Sequence, residues 1–293
     1  MTNANLRPER IAGAGVCALL LTGIGALSGG GQEAPPAAPY EAVNVESGGS
    51  ISGSVKWSGP IPKIPRLPIT KDPKVCDPDG AKTRDLERLV IGSDGGVANT
   101  VVYLKDVPRG KAWDLPVSEQ TLDQKSCAYH PHILLVPVGT AMQIKSSDPV
   151  LHTVHMMGAA SYNLPFPFQD QFIGRTMHIS GRVDMKCNAG HVWMNAEALV
   201  VPHPYYVITD AKGNFMLANV PPGNYEVEAW HEGWKIVADE TVLDVGAQVT
   251  VKRPIYSQPR TWQKQVTVHP SERCGGLSTI GTVGKHSLSV RRI

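Results

Sequence analysis

The chain reads Cys187-Asn-Ala-Gly-His191-Val-Trp-Met194 between two segments with strand character, 177–186 and 196–201. Segments of this length, bounded by turn residues, are typical of strands, so the quoted residues are predicted to form a loop that joins two strands. A second imidazole stands upstream, at His152. A thiolate, two imidazoles and a thioether are the ligands of blue-copper electron-transfer sites. The pattern therefore predicts a site for one copper ion, made by His152, Cys187, His191 and, as the axial ligand, Met194.

Strand-like segments recur on both sides of this loop, and no window shows a convincing helical period. Apolar segments at 51–57, 101–104 and 133–138 are separated by turn residues, in a chain that has 24 prolines and 29 glycines. Short apolar segments between many turns are typical of β-sandwiches and barrels. The sequence therefore predicts an all-β fold, with one unit at 48–202 built around the Cys187 loop.

The N-terminus has the order of a secretory signal. Arg7 and Arg10 precede an apolar run at 11–27, which ends in small residues. This order predicts a signal peptide at 1–28 and export to the periplasm or the cell exterior. An uncleaved N-terminus would instead tether the chain to the membrane. Residues 29–47 are rich in Gly, Ala and Pro and are predicted to be a linker.

Export changes how the cysteines are interpreted, because an oxidising compartment favours disulfides. Four cysteines follow the predicted signal: Cys76, Cys127, Cys187 and Cys274. Cys76 and Cys127 both lie in polar, loop-like surroundings, which favours pairing them and leaves Cys187 free for chemistry. Four cysteines allow three full pairings. A disulfide between Cys187 and Cys274 therefore stays open.

Residues 203–257 have a different pattern, in which short strands alternate with tight turns. Tyr206-Val-Ile-Thr-Asp210-Ala-Lys-Gly213-Asn-Phe215 reads as strand, turn and strand, and a Pro-Pro-Gly223 turn follows. This pattern predicts a small β-sandwich segment of four or five strands. Strands at 51–57 and 101–104 could complete it, which would make the first unit an insertion. The sequence leaves that choice open.

Other features of the chain exclude functions rather than suggest them. The net charge is only +2 and no basic run is interleaved with aromatic residues, so a nucleic-acid partner is not expected. No Ser-His-Asp arrangement, paired carboxylate motif or phosphate loop stands out, so the chain is not expected to be an enzyme. Residues 258–293 carry six Lys or Arg against one Glu. They are predicted to form a poorly ordered basic tail.

The run Pro131-His-Ile-Leu-Leu-Val-Pro-Val-Gly-Thr-Ala-Met-Gln-Ile-Lys-Ser-Ser-Asp-Pro-Val-Leu-His152, followed by the Cys187 loop, resembles cupredoxins. Over 50–252 the chain is similar to bacterial periplasmic proteins that join a cupredoxin-like barrel to a carboxypeptidase-regulatory-like or transthyretin-like β-sandwich. The resemblance implies a Greek-key barrel at 48–202, with His152, Cys187 and His191 as equatorial ligands and Met194 as the axial ligand. Thr153 stands where Asn is common in that family, so the hydrogen bonds around the thiolate are expected to differ.

The leading hypothesis from these patterns is one-electron transfer to and from a redox partner protein. A second hypothesis, carriage or storage of Cu(I) in the periplasm, is favoured by thioethers near the predicted barrel end, at Met156, Met157 and Met177. A third hypothesis is a metal-free β-sandwich that binds carbohydrate or a cell-surface partner. It predicts that Cys187 lies in a disulfide and that an exposed face is lined by aromatic residues, namely Tyr225, Trp230 and Trp234.

Overall fold

The computed structural model describes residues 39–244, 249–269, 276–279 and 286–292, and their regular secondary structure is almost entirely β-strand. None of the described helices is long and apolar enough to cross a membrane. In chain order the elements are β1 (Glu41–Ala42), β2 (Gly49–Trp57), β3 (Leu67–Pro68), α1 (Pro73–Cys76), β4 (Thr83–Arg84), β5 (Val101–Leu104), β6 (Arg109–Gly110), a 3-10 turn (Val117–Gln120), β7 (Thr121–Lys125), β8 (Ala128–His130), β9 (Ile133–Pro137), β10 (Ala141–Ser146), β11 (His152–Gly158), β12 (Tyr162–Phe166), β13 (Gln171–Thr176), β14 (Gly181–Lys186), β15 (Asn195–Val201), β16 (Tyr206–Ile208), β17 (Asn214–Val220), β18 (Gly223–His231), β19 (Ile236–Asp244), β20 (Val249–Tyr256), β21 (Arg260–Val268), β22 (Gly276–Thr279) and β23 (His286–Arg292).

Strands β7 to β15 form a two-sheet unit, called here the inserted sandwich. One sheet has the order β13-β10-β7-β8 and the other has the order β12-β11-β14-β15-β9. Side chains alternate between the core and the outside, as in β10, where Met142 and Ile144 are buried and their neighbours are not. This period of two buries one face of each sheet in a shared apolar core. The predicted all-β fold is confirmed.

The second unit, called the outer sandwich, is assembled from strands on both sides of the first. Its two sheets have the orders β16-β5-β18-β21 and β17-β2-β23-β22. Strands β2 and β5 precede the inserted sandwich in the chain, whereas β16 to β18 follow it. The arrangement left open by the sequence is therefore an insertion between β5 and β16. This differs from a single unit at 48–202, because the strand patterns of β2 and β5 carry no information about their distant partners.

The ends of the chain also differ from the sequence prediction where the structure describes them. Strand β21 (Arg260–Val268) lies within the predicted basic tail and pairs with β18 along its whole length. Its Val266 and Val268 are buried, because a polar strand with apolar residues at every second position can still cover a core. At the other end, β1 lies within the predicted 29–47 linker and pairs with β6. The predicted signal peptide at 1–28 lies outside the described residues.

The inserted and outer sandwiches meet over a mixed surface. An apolar cluster joins Ile133 and Leu199 of the inserted sandwich to Val101 and Trp230 of the outer one. Beside it lies a buried ionic group, in which Glu232 accepts a hydrogen bond from His132 Nε2 and pairs with Arg88 Nη1 at 2.5 Å. Buried charges are tolerated only when they are paired, so this group ties the two sandwiches together.

A second buried acid at this surface makes stability depend on pH. Burial raises the pKa of Glu197 from 4.5 to about 8; the negative charges of Asp184 and Glu232 act in the same direction and Arg182 acts against it. The folded state therefore holds the proton more tightly than the unfolded state. The stabilisation that comes from the proton on Glu197 is complete below about pH 4.5 and is lost as the pH rises through about 8.

We therefore expect Glu197→Gln to match the wild type near pH 4 and to exceed it above pH 8. The gain in free energy of unfolding is expected to be on the order of 2 kcal/mol, since the substitution also removes the ion pair with Arg182. Urea unfolding at a series of pH values measures it. A constant difference between the two proteins across this range would contradict the expectation.

Candidate metal centre

The structure brings His152, Cys187 and His191 together at one end of the inserted sandwich. Strand β14 ends at Lys186 and β15 begins at Asn195, so Cys187 and His191 lie on the loop between them, as predicted. Strand β11 runs antiparallel to β14 with His155 opposite Lys186. His152, three residues earlier on β11, therefore lies beside this loop.

The donor atoms of the three side chains face one another. The Nδ1 atoms of His152 and His191 are 3.2 Å apart, and Cys187 Sγ is 3.7 Å from His191 Nδ1. One donor atom from each residue fits within 4.8 Å of the other two. An ion bound at about 2.0 Å from nitrogen and about 2.3 Å from sulfur requires donors at most about 4.3 Å apart. The 3.2 Å and 3.7 Å separations are within that limit, so the His191 ring can share one soft metal ion with His152 and with Cys187, and copper is the ion for which this donor set is typical.

The ring nitrogens that point away from the centre are each held by a carboxylate. His152 Nε2 donates to Asp148 Oδ2 at 2.9 Å, and His191 Nε2 donates to Asp72 Oδ2 at 3.0 Å. Because a carboxylate can only accept, a neutral ring in either position carries its proton on Nε2 and leaves Nδ1 free for a metal. The carboxylates thus orient both rings for ligation.

Asp148 is itself fixed in place by the backbone. Its two oxygens accept hydrogen bonds from the N–H groups of Ser126 and Cys127, each at 2.7 Å. Burial raises the pKa of Asp148, but the hydrogen bonds from His152 and from these two N–H groups lower it overall, so the carboxylate is ionised. A negative charge at this position stabilises positive charge on the ring of His152.

The thiol of Cys187 is poised to lose its proton. Burial alone would raise its pKa, but hydrogen bonds from His152 and His191 lower the pKa to about 5. For His152 the effects are reversed: burial lowers the pKa of the ring, but Asp148 and Cys187 together raise it to about 9. Thr153 Oγ1 lies 3.9 Å from Cys187 Sγ and accepts the N–H of Asn188 at 2.6 Å. The Thr153 hydroxyl therefore anchors the start of the loop, beside the sulfur.

Met194 closes the loop that carries Cys187 and His191. Its backbone N–H donates to His191 O at 2.9 Å, and its carbonyl accepts the N–H of Cys187 at 3.4 Å. Its side chain is buried in the same apolar cluster as Cys187. The loop geometry therefore holds Met194 next to the centre, and its thioether as axial ligand stays a prediction.

The cysteines are arranged as the leading interpretation requires. Cys76 and Cys127 form a disulfide, which confirms the favoured pairing, and Cys187 is a buried free thiol. The alternative pairing of Cys187 with Cys274 is therefore not formed; Cys274 itself lies outside the described residues.

Two carboxylates of the candidate site were not predicted from the sequence. Asp148 has a local signal, since it precedes His152 by four residues in a turn-forming Ser-Ser-Asp-Pro stretch. Asp72 has none, because it lies 119 residues from His191 in a proline-punctuated segment. Lys71, beside it, donates to the carbonyl of Ala189 at 2.5 Å, so this segment contacts the ligand loop at two points.

The remaining residues singled out from the sequence fall outside the centre. Met156 and Met177 are buried in the apolar core, while Met157 is 37% exposed. Trp230 and Trp234 are buried, so they do not line the exposed aromatic face that a carbohydrate-binding module would need.

Comparison with known proteins gives matches that are partial. A family model for the second β-sandwich domain of NOMO1-like subunits of the BOS complex matches residues 204–255, within the outer sandwich. A sequence search of curated proteins finds no match.

Among solved structures, the chain is similar to three copper proteins. A copper nitrite reductase from Thermus scotoductus is 19% identical over 33% of this chain and 25% of that chain, with a TM-score of 0.27. A purple cupredoxin from Nitrosopumilus maritimus is 18% identical over 28% of this chain and 98% of the cupredoxin chain, with a TM-score of 0.24. An amicyanin mutant, in its oxidised state, is 23% identical over 30% of this chain and 87% of the amicyanin chain, with a TM-score of 0.27. The chain thus spans a quarter of the reductase, and at these scores the chemistry must be argued from its own residues.

Proposed function

We propose that this chain is an exported copper-binding protein that passes single electrons to and from a partner protein. The ligands are His152, Cys187 and His191, with Met194 as the axial ligand. The observation that carries the proposal is the convergence of two imidazole Nδ1 atoms and one thiol Sγ in a fully buried cluster. When bound, copper supplies a centre that alternates between the +1 and +2 states.

The residues of the site favour electron transfer, because the side chains that would hold copper need to move little when its oxidation state changes. Each histidine ring is fixed at its outer nitrogen by a carboxylate, and the ligand loop is closed by backbone hydrogen bonds between Cys187, His191 and Met194. Side chains locked in this way keep nearly the same positions when the charge at the centre changes. The surrounding apolar core excludes water from the thiolate.

Carriage of Cu(I) is the second candidate, and one observation favours it. His152 and His191 are fully buried and Cys187 is 1% exposed, and the outer edge of His191 faces Asp72 rather than solvent. A redox partner therefore meets the 69–76 segment instead of the imidazole edge. A colourless protein that still binds Cu(I) tightly would favour carriage over electron transfer.

The proposal is tested by adding Cu(II) to the purified protein and recording its visible spectrum. We expect an intense absorption band from charge transfer between the Cys187 thiolate and copper, and we expect Cys187→Ser to lose it completely. Cys274→Ser, which removes a different thiol, is the matched control and should keep the band. A protein that shows no band and binds no copper would refute the proposal and favour the metal-free binding module.

A further inference from the structure

The Cys76–Cys127 disulfide lies directly beside the proposed copper ligands. Both sulfur atoms and a ring nitrogen of His191 fit within 4.8 Å of one another, and all three side chains are buried. Two sulfurs and an imidazole at this separation are themselves a ligand set, once the bond between the sulfurs is broken. The proposed metal site and the disulfide therefore share His191.

The two cysteines are held in place by contacts that do not involve the S–S bond. Arg84 Nη2 donates to the carbonyl of Cys76 at 2.6 Å and to the carbonyl of Ser126 at 2.7 Å, so one side chain bridges the two cysteine-bearing loops. On the other side, Trp193 Nε1 donates to the carbonyl of Cys127 at 3.0 Å. These contacts keep both sulfurs near His191 after reduction.

We propose that reduction of the Cys76–Cys127 disulfide creates a second site, which binds Cu(I) through Cys76 Sγ, Cys127 Sγ and His191. The S–S bond accepts two electrons and two protons from a dithiol, which becomes a disulfide, and two thiols result. Binding of Cu(I) displaces the thiol protons. Thiolate sulfur is the softest ligand in proteins and selects Cu(I). An ion held here would need each sulfur at about 2.3 Å and the nitrogen at about 2.0 Å, and breaking the S–S bond frees the two sulfurs to move apart around it.

The second site gives the disulfide a regulatory role. His191 belongs to both ligand sets, so the two sites compete for the same imidazole ring. The inference rests on the proposed function in this one respect, that both sites use His191. The redox state of the surroundings then decides which set holds the ion.

The Cys187→Ser variant isolates the second site, since it lacks the thiolate of the first. The purified variant is reduced with a water-soluble phosphine, and alkylation followed by mass spectrometry counts the thiols released. Cu(I) is then titrated against a coloured Cu(I) chelator. We expect the reduced variant to retain one equivalent of Cu(I) more than the oxidised variant.

Cys187→Ser combined with Cys76→Ser and Cys127→Ser is the matched control, because it additionally removes only the two cysteines of the disulfide and keeps Cys274. This control should gain no Cu(I) on treatment with the phosphine, and circular dichroism checks that it is folded. An equal gain in the control, no gain in the reduced variant, or a disulfide that stays intact in the folded variant would each overturn the proposal. If the wild type shows no visible band with Cu(II), that result counts against the proposed function alone, since the Cu(I) titration does not use Cys187.

Discussion

Replacing Asp148 by alanine is expected to weaken copper binding by about 10–100-fold. The carboxylate accepts hydrogen bonds from His152 Nε2 and from the N–H groups of Ser126 and Cys127. Without it, the ring of His152 loses both its orientation and the negative charge that makes Nδ1 a better ligand. The two backbone donors are left unsatisfied as well, which distorts the turn beside the centre.

Competition with a copper chelator of known affinity measures this loss. Asp148→Asn separates orientation from charge, because its amide oxygen can still accept one hydrogen bond while it carries no negative charge. Asp170→Asn is the matched control: its carboxylate is 69% exposed and lies 3.5 Å from Lys145 Nζ. An Asp148→Ala affinity within threefold of the control would show that His152 is held by other contacts.

The sequence predicted that His152, Cys187 and His191 lie close together but not which carboxylates hold the histidines, for a physical reason. Cys187, His191 and Met194 lie on one short loop between strands, and His152 begins a strand, so their meeting requires only local geometry. Asp72 reaches His191 from a segment outside the inserted sandwich, through contacts that depend on the final packing of the chain. No local pattern encodes such a contact.

The same difference between local pattern and long-range contact explains which parts of the fold were predicted. Each strand could be predicted from its own segment, because the alternation of apolar and polar residues does not depend on which strand pairs with it. The pairing of β18 with β5 joins strands on opposite sides of the inserted sandwich in the chain, so the insertion of one sandwich into the other was not decided by the sequence. The basic, polar composition of 258–293 also hid β21, whose buried valines are spaced two apart.

Replacing Glu232 by alanine is expected to destabilise the chain strongly. Burial raises the pKa of its carboxyl, but His132 and Arg88 together lower it overall, so Glu232 is ionised in the folded chain. Glu232→Ala leaves the charge of Arg88 buried without a partner, since the side chains of Arg88 and Glu232 are 7% and 1% exposed. We expect the free energy of unfolding to fall by about 3–5 kcal/mol.

Urea unfolding of the wild type, Glu232→Ala and the double variant Glu232→Ala/Arg88→Met measures this effect. The double variant should recover much of the loss, because it removes the unpaired charge along with its former partner. Glu226→Ala, which breaks the partly exposed pair with Lys105, should cost far less than Glu232→Ala. A loss of the same small size in Glu232→Ala would mean that the ionic group does not hold the sandwiches together. Because none of the proposed ligands touches Glu232, the visible copper band should persist in the folded variant, which separates stability from metal binding.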